Sequence, residues 1–133
     1  IQVTLTNISI DESAIHAITL IGAQGPPEEV VSIISDTTRP PNSITASFSN
    51  NLTAGSMIVT GGYQGQPTVI TAMPIGGTHT VATQVANSSS RGVMGTRPVP
   101  VIETPTGIGW NAAFNRILLG MASFPPSGGG PCL

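Results

Sequence analysis

Side chains branched at Cβ restrict this chain more than any other feature. Valine and isoleucine number 25 and threonine 16 among 133 residues, nearly a third of the total, against six leucines. Such residues lose rotamer freedom against the preceding turn of a helix and pack well on a pleated surface. They also fall in short segments, divided by 16 glycines and 12 prolines that deny helical dihedrals or ladder bonds. Short strands at regular spacing predict an all-β fold, an antiparallel β-sandwich or jelly-roll-like barrel of about seven to nine strands. Length and a 39% apolar content suit one domain with its own core. It is placed over residues 1–124, with the Pro/Gly-rich stretch 125–133 as a tail.

At the start of the chain Ile1, Val3 and Leu5 alternate with polar residues, and beyond Asn7 the apolar phase moves to Ile8 and Ile10, as at a bulge. Alternation and β-branched runs place further strands over 14–21, 28–35, 43–49, 56–62, 68–75 and 78–86, with turns at 50–51 and 61–67 and a polar loop at 87–92. Pro98 and Pro100 confine the stretch 93–103 to a sheet edge or an extended connection. The exception is 107–124, where Trp110, Phe114, Ile117, Leu118 and Met121 fall at helical spacing. That stripe predicts a short helix near residues 108–121, and a strand from Phe114 to Phe124 is its rival.

Charge is scarce: four arginines, six carboxylates and no lysine, for a net charge of -2. The absence of lysine excludes Schiff-base chemistry and a phosphate loop, and it makes nucleic acid and anionic membranes poor partners. No apolar run approaches the ~20 residues of a membrane-spanning helix. The chain begins with Ile1 rather than methionine, as after removal of a secretory leader, and three N-glycosylation triplets start at Asn7, Asn51 and Asn87. Both point to a secreted or cell-surface protein. Cys132 is the only cysteine, so no internal disulfide can form. It is read as an incidental thiol or a bridge between two chains.

Residues able to do chemistry are few. His16 follows Glu12 by four positions, a spacing that brings ligands together only on a helix, whereas the segment reads as strand. His79 alternates with apolar neighbours and reads as a core or interface histidine. The two are the candidate metal ligands, and their spacing defines no site. No G-x-S-x-G elbow, H-E-x-x-H helix or EF-hand loop occurs. No catalytic residue and no cofactor is assigned. Tyr63, Gln64 and Gln66 join an aromatic face to amides in a segment read as a loop, a combination suited to sugar or peptide. Arg91 and Arg97 offer bidentate donors for a carboxylate or sulfate, or for Glu103.

Three functions follow, in order. The first is a non-enzymatic subunit of an extracellular filament, pilus, sheath or coat. It would associate with copies of itself through strand edges, with exchange of an N-terminal strand bearing Ile1, Val3, Leu5, Ile8 and Ile10. Its basis is the shortage of the charge that ordinarily guards strand edges. The second is a secreted lectin-like or adhesive module binding carbohydrate through Tyr63 and the 91–97 region. The third is a metal-dependent or carboxylate hydrolase.

Overall fold

The structure, a computed structural model, describes residues 18–35, 43–74, 77–112 and 116–128. They form eight strands: β1 (Glu29–Ser35), β2 (Ser43–Ala46), β3 (Met57–Gln64), β4 (Thr71–Met73), β5 (Thr80–Ala86), β6 (Arg91–Pro98), β7 (Ile108–Asn111) and β8 (Ile117–Phe124). Five build one antiparallel sheet in the order β1-β8-β3-β6-β5, and three build a second in the order β2-β7-β4. The fold is all-β and sandwich-like, and among the described residues there is no helix.

Alternation decides which side chains meet between the sheets. In β2, Ile44 and Ala46 are buried while Ser43 and Thr45 are exposed. In β8, Ile117, Leu119, Met121 and Ser123 point inward. They meet Ile58 of β3, Val93 of β6, and Ile108 and Trp110 of β7, with Phe48, Leu52, Ile70 and Val99 closing the ends of one apolar cluster. Trp110 sits at its centre with no exposed surface. Burying each large aliphatic side chain stabilises the fold by roughly 1.5–3 kcal/mol.

Four expectations are corrected. Residues 108–121 form no helix but contribute to β7 and β8, because β8 is hydrogen-bonded on both sides, to β1 and to β3. With those ladders in place, Ile117, Leu119 and Met121 follow a period of two, and Leu118 lies on the opposite side. Phe114 lies outside the described residues. The stretch from residue 93 is not an edge: β6 runs between β3 and β5. Pro98 is tolerated because it ends the strand, after which Val99 N donates to Ser56 O and Gly55 N to Val99 O. The turn expected at 61–67 starts later, since Gly61 to Gln64 belong to β3. Of the strand expected over 14–21, the described part, 18–21, lies outside every strand, and Ala23 bridges to Pro126.

Candidate functional site

The register of the five-stranded sheet divides its side chains into an inner set facing the core and an outer set facing away. Reading the outer set across the strands β1, β8, β3, β6 and β5 gives three rows that span all five. The first holds Val30, Ala122, Val59, Thr96 and Thr80; the second Ser32, Gly120, Gly61, Met94 and Thr83; the third Ile34, Leu118, Tyr63, Gly92 and Val85. No member of these rows is charged. Val30 and Ile34 are 65% and 75% exposed, and Leu118 39%. The outer face of an antiparallel sheet that meets only water is ordinarily polar.

The middle row has a further property. Gly120 and Gly61 stand directly opposite each other on the adjacent strands β8 and β3. A Cβ added at either would meet no atom within 4 Å. Neither residue has a left-handed backbone. Packing within the described chain therefore leaves room for larger side chains at both positions. The pair floors a shallow trough between the rows of Val30 and Ile34. Glycine inside a strand weakens it and marks close approach of another backbone or a ligand.

Glu28, Glu29, Arg91, Arg97 and Glu103 are each held by hydrogen bonds within the described chain. Glu28 accepts hydrogen bonds from Thr53 N (3.2 Å) and from the hydroxyls of Ser56 (3.1 Å) and Ser123 (3.0 Å). Partial burial raises its pKa, but these bonds outweigh that and leave it below the ordinary value. Glu29 accepts from Ser49 N (2.8 Å) and from Asn50 N and Nδ2 (3.0 Å each), and the Ser49 bond leads in lowering its pKa. Arg97 pairs with both oxygens of Glu103 at 3.0 Å. Arg91 donates twice to Pro67 O, at 2.9 and 2.7 Å, and once to Gln84 Oε1 at 3.3 Å. The two arginines lie six residues apart on one strand, about 20 Å, and so do not converge on one anion.

Tyr63 and Gln64 are likewise strand residues. Tyr63 is half-buried on the outer face, whereas Gln64 is fully buried and donates to Thr68 O and Oγ1 at 2.5 and 2.9 Å. Gln66 follows in the turn. Asn51 accepts from Thr104 Oγ1 (2.6 Å), and Asn87 Oδ1 accepts from Ser89 N, Ser90 N and Ser90 Oγ, closing the β5–β6 turn. Ile1, Val3, Leu5, Asn7, Ile8, Ile10, His16 and Cys132 lie outside the described residues.

A second feature lies where the sheets part. Between β4 and β5 runs an open groove of about 450 Å³, lined by Val69, Ile70, Thr71, Ala72, His79, Thr80, Val81 and Gln84. Gln84 spans it, donating Nε2 to Ile70 O (2.7 Å) and accepting from Ile70 N (3.2 Å). His79 is buried beneath, its Nδ1 3.0 Å from Met73 O and its Nε2 2.8 Å from Thr60 Oγ1. Nδ1–H therefore donates to the carbonyl and the threonine hydroxyl donates to Nε2. Burial disfavours the imidazolium, the Met73 carbonyl opposes that and positive Arg97 adds to it, so the pKa lies below 6.5. The ring centroid stands 4.6 Å from that of Trp110. Among the described residues, no three His, Cys, Asp or Glu side chains are placed to share a metal ion, and no helix is long and apolar enough to cross a membrane.

The outer face is what the sequence reading missed. Its signal was present in β8, where apolar or small residues occupy both alternating sets. Comparison with protein-family models, with curated proteins and with solved structures finds no match to this chain.

Proposed function

We propose that the chain is a non-enzymatic structural subunit of an extracellular assembly, joined to copies of itself through the five-stranded sheet. One observation carries this reading: an outer sheet face without charge, floored by two glycines that no contact within the described chain explains. Burying such a face removes apolar surface from water at little polar cost, and Gly61 and Gly120 admit the close approach this requires. The placement outside the cell rests on the sequence triplets, of which Asn51 and Asn87 are exposed.

Sedimentation velocity over a range of concentrations tests it. The protein as it stands is expected to form particles larger than one chain, and Gly61→Arg, which raises a guanidinium from the trough, to shift it to smaller particles with unchanged circular dichroism. A parent chain that stays monomeric at high concentration refutes the proposal. The second reading, an adhesive or carbohydrate-binding module, draws on the β4–β5 groove. Its test is a glycan array on which Val81→Arg abolishes binding.

A further inference from the structure

The two sheets present four outermost strands, and three are unsuited to pairing with another chain. β2 and β4 have only four and three residues. β5 carries a register shift between Val81 and Thr83, and Gln84 already occupies the main-chain groups of Ile70 beside it. Short strands and bulges are ordinary protections of an edge.

β1 has neither. It runs seven residues, Glu-Val-Val-Ser-Ile-Ile-Ser, in unbroken register with β8, without proline or bulge, and among the described residues β8 is its sole strand partner. Its one charge, Glu29, is bonded to Ser49 and Asn50. The alternate main-chain groups on its open side can be satisfied by another strand. Val30 and Ile34 stand exposed on the outer face.

Resting on the assembly reading above, we infer that β1 pairs antiparallel with β1 of a second copy about a twofold axis through Ser32, joining two five-stranded sheets into one of ten. Three considerations fix this register. A twofold perpendicular to the sheet keeps both outer faces on one side only if paired residues have the same parity in β1. Centring on Ser32 alone pairs all seven residues, with Val30 opposite the partner's Ile34 and Val31 opposite the partner's Ile33. It also holds the two Glu29 carboxylates about 20 Å apart, whereas like charges directly opposite would destabilise the pair.

The experiment is disulfide trapping in the full chain with Cys132→Ser, so that the introduced thiol is alone. Cα atoms directly opposite in an antiparallel pair are about 4.5–5.5 Å apart, within disulfide reach. Ser32→Cys is expected to give a covalent dimer on mild oxidation, and Val30→Cys, about 13 Å from its own copy in this register, to give none. The double variant Val30→Cys/Ile34→Cys restores cross-linking. Ser32→Lys, with two ammonium groups at the axis, weakens the dimer roughly fivefold. Particles larger than one chain that do not cross-link at Ser32 overturn the β1 register and leave assembly through another surface. A chain that stays monomeric and does not cross-link overturns both.

Discussion

Gly61 and Gly62 are neighbours on β3, yet the two faces of the sheet use them for opposite reasons. A Cβ on Gly62 would lie 2.6 Å from Trp110 Cδ1 and 2.9 Å from Val93 Cγ1, so the inner glycine makes room for the indole. Gly95 does the same from β6, where a Cβ would lie 2.5 Å from Thr80 O and 2.6 Å from the far edge of the same ring. On the outer face Gly61 and Gly120 leave open space. Inside, small residues are required by a large neighbour within the chain; outside, no neighbour among the described residues requires them. The comparison separates glycines that serve the fold from glycines available to serve contact.

The inner face should give the largest effects. Trp110→Ala leaves a cavity at the centre of the cluster and is expected to cost about 3–5 kcal/mol. Gly95→Ala, which presses a methyl against main chain as well as indole, should cost at least about 1–3 kcal/mol. Denaturant unfolding followed by tryptophan fluorescence measures Gly95→Ala, and circular dichroism measures Trp110→Ala. If Gly95→Ala proves as stable as the parent, the inner glycines lose their explanation.

Next comes the attachment of β1. Glu28→Ala removes the acceptor of the Ser56 and Ser123 hydroxyls, whose residues are 1% and 0% exposed. Leaving buried donors without that partner should cost about 1–3 kcal/mol. Glu28→Gln, which keeps an acceptor oxygen, should lose less. Equal losses for the two variants would mean that charge rather than hydrogen bonding matters there.

The outer face inverts the sign. Gly61→Thr and Gly120→Thr place a β-branched residue in a strand with open space above it, and should leave monomer stability unchanged or raise it by up to about 1 kcal/mol. The same substitutions should weaken self-association. A loss of stability comparable to that of Gly95→Ala would show that the two faces do not differ as claimed.

How far the sequence foretold this depends on whether each signal was local. Ser43 to Ala46 shows it at its clearest: one strict alternation, Ile44 and Ala46 inward, and the observed β2. Trp110, Ile117 and Met121 misled because helical spacing and two separate strands, β7 and β8, place the same residues inside, and only the ladders to β1 and β3 decide between them. The glycine pair at 61–62 resembled a turn for a similar reason, since the neighbour that requires Gly62, Trp110, lies nearly fifty positions away in sequence. The candidate surface was hidden more deeply. In Ile117 to Phe124 apolar or small residues occupy both sets, so periodicity alone does not say which faces water. Arg91 and Arg97 seemed a pair because they are close in sequence; an extended strand sets them at opposite ends of the sandwich.

The smallest effect, and the one that links the inner face to solution conditions, is on the pH dependence of stability. His79 is held neutral between Thr60 and Met73, with its pKa below 6.5. Unfolding exposes it to water, where it binds a proton at the ordinary value, so between the folded and unfolded pKa the unfolded chain carries more protons. Its contribution is complete above about pH 6.5 and is lost progressively as the pH falls toward the folded value. Glu28 and Glu29, both with pKa values below 4.5, add a second loss that begins near that pH and continues through their folded values. Urea midpoints should therefore be level from pH 8 to 7, decline below 6.5 and decline again below 4.5. In His79→Gln, which cannot take up the proton, the first decline should vanish while the second remains. A first decline that survives in His79→Gln would assign it to another group and detach His79 from the acid response of the core.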